Sequence, residues 1–298
     1  METRQLEYFV AVAEELSFTR AAQRLFAVQS SVSSAIRALE AELHTTLFDR
    51  STRRVALSRA GAAFLPEAKA ALEALERAKS VVQETTDGLR GSIRIGVLTS
   101  VDLLDLPGLL GAFRCRHPMV DIRVTASVTG ATGHADGVRQ GRLDLAFLSL
   151  PPADLAGLHT VALATRPFEV LLPATHWLAE RAELTLEDLA GEQFVDTLRG
   201  FGNRVVADRA FEAIGAPRRI VVEVSDIATV PDYVRAGLGI AVVPALFQAT
   251  DPAVTIRPLA GTPLQWQLRI ATLAGREPSR AVRTLLDLIE EYRAETAD

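Results

Sequence analysis

The chain has 298 residues, room for two or three domains, and 48% of them are hydrophobic, which excludes a wholly disordered polypeptide. A single cysteine, Cys115, excludes an intrachain disulfide and any multi-cysteine metal site. The formal net charge is −5, yet residues 16–59 hold seven arginines against three acids, so a segment of +4 is set in a remainder of −9, the pattern of a basic patch on an acidic body.

The amino-terminal METRQLEYFVAVAEEL is interrupted by charges and does not read as a signal peptide. Within it Leu6, Phe9, Val10 and Ala13 make one face of a first helix. Ser17 reads as an N-cap, and Phe18, Ala21, Ala22 and Leu25 give a second helix running to about Leu25, whose small Ala21-Ala22 pair lets another helix approach closely. A short link from about Phe26 to Gln29 leads into QSSVSSAIRALEAEL, residues 29–43. There Val32, Ala35, Ile36, Leu39 and Leu43 form an apolar face, while Ser30, Ser34, Arg37 and Ala41 lie opposite, flanked by Ser31 and Ser33. Serine is a mediocre helix former, so four of them in half a helix call for a reason. A slim, hydroxyl-bearing face tipped with a cation suits close approach to phosphates and base edges. Two helices, a tight link and such a helix make a helix-turn-helix. Next, the β-prone pieces TTLF (45–48) and RVALS (54–58) flank DRSTR, the pattern of a wing with Arg50, Arg53 and Arg54 at its tip. Each piece alone also reads as a solvated surface; in this order they point to double-stranded DNA.

SFTRAAQRL, Q-x-x-V-S-x-x-I-R-x-L-E-x-E-L and L-F-x-R-x-x-R-x-V-x-L-S-x-A-G resemble the LysR-type transcriptional regulators, and the general layout extends over the whole chain. The resemblance implies an α/β protein with an α-rich winged helix-turn-helix at residues 1–60, a dimerising linker helix at 61–88 and a two-lobed, periplasmic-binding-protein-like effector domain at 91–298. The expected DNA-binding residues are Gln29, Ser30, Ser33, Ser34, Arg37, Arg50, Arg53 and Arg54. Many members carry serine, proline and arginine where this chain has Val28, Ser30 and Ser34. Val28 offers no capping oxygen, and Ser34 cannot make the bidentate arginine–guanine contact. Base readout then rests on Gln29, Ser33, Arg37 and DNA shape.

Residues 59–87 contain few breakers apart from Gly61 and Pro66, and Leu65, Ala68, Leu72, Leu75, Lys79 and Val82 fall at a and d positions of successive heptads. The heptads alone fit a dimer seam and a helix packed on its own domain equally; the resemblance favours the seam and implies a homotetramer, a dimer of dimers.

Beyond Asp87-Gly88 short apolar runs alternate with helices, as in an α/β domain. Strands are expected at 92–98, 121–127, 143–150, 168–173, 192–196, 219–225, 239–244 and 264–273. LLDLPGLLGAFRCRH reads as helical apart from Pro107 and Gly108, ADGVRQG as a helix end, and Arg280 to Tyr292 as a final helix. VRQGRLDLAF (138–147) weakly echoes VRAGLGIAVV (234–243), which fits two similar lobes. The family layout puts lobe I at about 91–162 plus 266–298 and lobe II at about 163–265. Ligands of such folds sit at the carboxyl ends of strands, which singles out Thr99, Ser100, Ser127, Thr129, Arg199, Phe201, Asn203, Ser225, Asp226 and Thr229; each singly also fits a cap or turn. Hydroxyls, helix amides and Arg199 suggest a small anion such as a carboxylate, paired with Arg199.

His44, His117, His134, His159 and His176 show no metal-ligand spacing, and His117 and His134 read as loop residues. No nucleophile elbow or P-loop is present; no cofactor or metal is expected. Cys115, between Arg114 and Arg116, reads as a plain helix residue. The longest apolar run, 237–247, is too short to span a bilayer, so a cytoplasmic protein without a membrane partner is expected. The reading is a sequence-specific regulator modulated by a small-molecule effector, not an enzyme. Two rivals stay open: an enzyme or carrier built on the α/β domain, with the amino-terminal helices used for oligomerisation, and an architectural protein binding DNA without sequence preference.

Overall fold

In a computed structural model the chain is described over residues 1–50, 55–87, 89–100, 103–248, 251–261 and 264–295. It divides into two compact units, Met1–Gly88 and Leu89–Asp298.

The first unit runs α1 (Thr3–Glu15), α2 (Phe18–Arg24), α3 (Gln29–Glu42), β1 (Phe48–Arg50), β2 (Val55–Leu57) and α4 (Arg59–Asp87). Ser17 Oγ accepts from the Arg20 amide at 3.3 Å and caps α2. Ala21 and Ala22 are buried, as are Val32, Ile36 and Leu39 of α3. Phe9 is the hub of the core, with its ring 5.4 Å from Phe48 and 5.1 Å from Phe64. The first wing strand begins later than TTLF: Thr45 belongs to the turn that ends α3, its amide bonded to the Glu40 carbonyl at 3.1 Å. β1 and β2 pair antiparallel, so Asp49 and Arg50 lie in the strand rather than in the tip. The Glu40 carboxylate accepts from the Leu47 and Phe48 amides at 2.8 and 3.3 Å and ties this strand to α3. Ser58 Oγ donates to the Thr46 carbonyl at 2.7 Å and accepts from the Gly61 amide at 3.0 Å. A Cβ at Gly61 would overlap the Leu47 carbonyl. Glu40, Leu47, Phe48, Ser58 and Gly61 are thus the fixed points of the motifs quoted above.

α4 is one helix over the expected stretch, Arg59–Asp87. Ala68 is buried in the unit's own core, with Leu65 and Leu72 packed beside it, because that stripe faces α1 rather than solvent. Leu75 is exposed. The side chains of Lys79 and Val82 lie outside the described ones. Of the proposed seam, Ala68 is used within the chain, while Leu65 and Leu72 stay half-buried.

The second unit runs β3 (Gly91–Gly96), α5 (Leu106–Arg116), β4 (Val120–Thr125), α6 (Gly130–Arg139), β5 (Leu145–Leu148), β6 (Leu158–Pro173), β7 (Gln193–Thr197), α7 (Gly202–Ala213), β8 (Arg219–Val224), α8 (Val230–Arg235), β9 (Ala241–Pro244), β10 (Val254–Pro258), β11 (Gln265–Leu273) and α9 (Arg280–Glu295). β3 lies parallel between β4 and β5, and β11 returns antiparallel between β5 and β6. β6 is shared: Leu158–Pro167 pairs with β11, and Phe168–Pro173 pairs with β9 and β10. β7 and β8 pair in parallel, and Phe194 bridges to Ile240 beside β9. β5 and β9 are buried at every position, as expected of strands covered on both faces.

Four expectations need correction here. Pro107 and Gly108 lie inside the first turn of α5, where a missing amide hydrogen costs nothing; Asp105 caps that turn through the Gly108 amide at 2.9 Å. His134 is on α6, not in a loop. The first ten residues of β6, and all of β10, are partly buried strands that sequence reasoning passed over, although β6 carries the short apolar run 161–164. α9 runs on to Glu295 rather than ending at Tyr292.

Candidate functional site

The first candidate surface is the outer face of α3. Its inner face is anchored by Val32, Ile36 and Leu39, which turns Gln29, Ser30, Ser34 and Arg37 outward, all exposed; Ser33 is half-buried at the edge. Among the described residues Arg37 makes no ion pair. The arginines of α2 differ: Arg24 is paired with Glu14 at 2.7 Å and Arg20 with Glu15 at 3.4 Å. Glu14 also receives the buried Lys69 ammonium of α4 at 2.6 Å. Burial opposes ionisation of Glu14, but Lys69 and Arg24 together hold its carboxyl below the usual value. Val28 occupies the N-cap position of α3 and supplies no side-chain bond. Arg53 and Arg54 lie outside the described residues, and of Arg50 only its strand pairing is described. Sequence reasoning passed over Phe26, which is 99% exposed with φ 51°; a phenylalanine in a link of a small domain could have drawn attention.

The second candidate is a cavity in the other unit, at the carboxyl end of β3 and the start of α6 and α7. Its empty space is about 490 Å³, open mouth included. Thr99, Ser127, Phe201 and Asn203, all singled out from sequence, line it. So do residues that sequence reasoning missed: Leu98, His134, Ser149, Ile227 and Trp266. Ser149 follows β5 directly, so the strand-end rule could have found it. His134 lies one turn after Gly130 on the same face of α6, a relation visible only once the helix is drawn through residues 130–139.

The walls are held by specific bonds. Ser127 Oγ accepts from the Thr129 amide at 3.2 Å and lies 3.1 Å from Thr129 Oγ1. Thr132 donates to the Gly200 carbonyl through its amide at 3.0 Å and its hydroxyl at 3.1 Å. Phe201 is wedged so closely that a Cβ at Gly130 would lie 2.7 Å from its ring, and one at Gly202 would overlap the Ser149 carbonyl. Behind Phe201, Asn203 Nδ2 donates to Thr197 Oγ1 at 3.0 Å and to Asp196 Oδ1 at 3.3 Å. Asp196, 1% exposed, is paired at 2.6 Å with Arg218, 2% exposed, whose guanidinium also lies against the rings of Phe194 and Phe211. Arg204 donates to the Thr197 carbonyl at 3.0 Å and pairs with Asp208 and Glu223. This buried network fixes where α7 begins, and so where Phe201 and Asn203 point.

His134 is buried, and desolvation holds its imidazole below the usual value, against the pull of the Phe147 carbonyl, 3.2 Å from Nδ1, and of the Thr125 backbone. A carbonyl only accepts, so in the Phe147 bond Nδ1 is the donor. Nε2 makes no hydrogen bond of good geometry among the described residues.

Six of the singled-out residues do not line the cavity. Ser100 Oγ donates to Asp226 Oδ2 at 3.0 Å. Asp226 Oδ1 accepts from the Ala228 amide at 3.0 Å, and Thr229 Oγ1 donates to the Asp226 carbonyl at 2.7 Å, both turn bonds. Thr129 holds Ser127. Ser225 is exposed, and Arg199 is exposed on the turn before Gly200, outside the lining. Among the described residues no cluster of histidine, cysteine and carboxylate side chains could hold a metal ion, and no helix is long and apolar enough to cross a membrane.

Two family models match. Residues 3–62 match the bacterial regulatory helix-turn-helix proteins of the lysR family, and residues 86–294 match the LysR substrate binding domain. The chain is 33% identical over 301 residues to the Hca operon transcriptional activator HcaR of Escherichia coli, covering 99% of each. It is 36% identical over 245 residues to the transcriptional regulator ShiR of Corynebacterium glutamicum, covering 81% of this chain and 82% of ShiR. Among solved structures, full-length BenM is 28% identical with a TM-score of 0.56, covering 100% of this chain and 98% of that one. A full-length OxyR variant from Pseudomonas aeruginosa is 25% identical with a TM-score of 0.71, covering 97% and 95%.

Proposed function

The chain belongs to the LysR family of DNA-binding transcriptional regulators, which carry an effector-binding domain and are not enzymes, and from that premise we propose how its own residues do the work. α3 reads a half-site in the major groove with Gln29, Ser30, Ser33, Ser34 and Arg37, and the wing arginines Arg50, Arg53 and Arg54 add phosphate contacts. The observation that carries this is the outer face of α3: exposed, hydroxyl-rich and ending in an arginine that no described acid neutralises. The serines keep the face slim enough for close approach. Their weak helix propensity is tolerated because Val32, Ile36 and Leu39 bury the opposite face.

The cavity of the second unit binds the effector. Leu98, Ile227 and Trp266 suit an apolar body, and Thr99, Ser127 and the start of α6 suit a polar head, including a carboxylate drawn to a helix N-terminus. Hydroxyls and amides, rather than the exposed Arg199, are the partners this arrangement supports. Binding there changes the fit of the 200–202 segment against α6, and thereby the balance between two arrangements of subunits. The working assembly is a cytoplasmic homotetramer, joined in part through α4 beyond Leu72.

Arg37→Ala tests the first part. The side chain is exposed, so the fold is expected to persist. Operator affinity is expected to fall, and the dependence of log affinity on log salt to lose a slope of about 1. Unchanged affinity and slope, measured by anisotropy titration across a salt series, would show that this face does not meet DNA.

A further inference from the structure

Two apolar side chains stand in water where α3 begins. Phe26 is 99% exposed, and Val28, at the N-cap position, is 69% exposed. The turn that carries them is pinned: the Phe26 amide donates to the Gln23 carbonyl at 3.2 Å and the Ala27 amide to the Ala22 carbonyl at 2.9 Å. Phe26 takes the left-handed backbone region, φ 51°, which non-glycine residues seldom adopt. Isolated apolar side chains on a surface need no explanation. These two are different in position, because they adjoin Gln29 and Ser30 at the leading end of the helix assigned to DNA.

In a helix-turn-helix the leading residues of the recognition helix are the ones brought to the base edges. A side chain without polar atoms can recognise one feature there, the 5-methyl group of thymine, since the other major-groove features are hydrogen-bond donors and acceptors. Gln29, next to Val28, is suited to adenine through N6 and N7. Ser34 has no guanidinium to select guanine. At the leading end of α3 the three features agree on A·T pairs, beside whatever Arg37 reads one turn beyond Ser34.

We infer that Phe26 and Val28 form an apolar lip that reads thymine methyl groups within each half-site. The inference rests on the assignment of α3 to the major groove, and it specifies the base class that the leading end of α3 selects.

The test uses the full-length protein and a random-sequence duplex pool. The protein selects its own preferred duplex, and thymines in that duplex are replaced one at a time by deoxyuridine, which removes the methyl group alone. The expected result is one or more thymines per half-site at which uracil weakens binding about fourfold, the loss that follows when one methylene-sized apolar group leaves a contact. In the double variant Phe26→Ala, Val28→Ser the same replacements are expected to be silent, whatever its overall affinity. Phe26 packs on nothing, and serine is a better N-cap than valine, so the variant folds; circular dichroism checks this. Uracil that is neutral at every position, or a penalty that persists in the double variant, would overturn the inference while leaving the DNA-binding reading intact. A pool from which no sequence is enriched would overturn that reading, and this inference with it.

Discussion

Gly61 shows how tightly single residues are specified in the first unit. It has no room for a Cβ beside the Leu47 carbonyl, and its amide completes the Ser58 cap at the head of α4. Gly61→Ala is predicted to destabilise this unit by about 1–3 kcal/mol, as overpacking against backbone does, read as an earlier transition in chemical denaturation; an unshifted transition would refute the packing argument. Ser17, Ser58 and Glu40 were legible in the sequence as parts of a recognisable motif, and the structure supplies the bonds that give each its place. His134 was not legible. Its significance lies in an Nε2 without a hydrogen bond of good geometry at a cavity wall, and no spacing rule reports what a ring nitrogen lacks. Arg199 differs: a cation in a polar loop invites an anion, but only the path of the turn at Gly200 places it, exposed and outside the cavity lining.

Among elements, α1 and α4 are joined by the Glu14–Lys69 pair, with Arg24 as a second cation. A carboxyl whose folded pKa is depressed stabilises the fold fully above its unfolded value, near 4.5, and that contribution is lost as the pH falls through the lower folded value. Stability of the first unit is therefore predicted to drop as the pH is taken below about 4.5. Glu14→Gln should be less stable than the parent at pH 7 and should show a flatter fall in acid. Denaturant midpoints measured from pH 7 to pH 3 check this, and parallel curves for parent and variant would contradict it. Helices with a two-sided pattern and strands buried on both faces were readable from hydropathy. β10 and the first part of β6 were passed over, because their signals, the alternating Val254 to Arg257 and the four apolar residues 161–164, are too short to stand out from loop sequence. α4 was readable as a helix but not in its use, since a stripe of Leu65, Ala68 and Leu72 fits a partner chain and the chain's own core equally well.

At the scale of the molecule, a chain of net charge −5 holds a local excess of +4 over residues 16–59, where the sequence places the helix-turn-helix and wing, so electrostatic attraction to DNA is local rather than global. The cavity proposed for the effector lies in the other unit, and its wall is set by the start of α7, which a buried ionic network holds in place. Both units are needed for regulation, but reading DNA is the claim on which the rest depends. The most direct measurement is binding of the full-length protein to the intergenic DNA upstream of its own gene, against a scrambled duplex of the same composition, across a salt series. The account predicts tighter binding to the native duplex and affinity that falls steadily as salt rises. Equal affinity for both duplexes, or no binding to either at low salt, would contradict it.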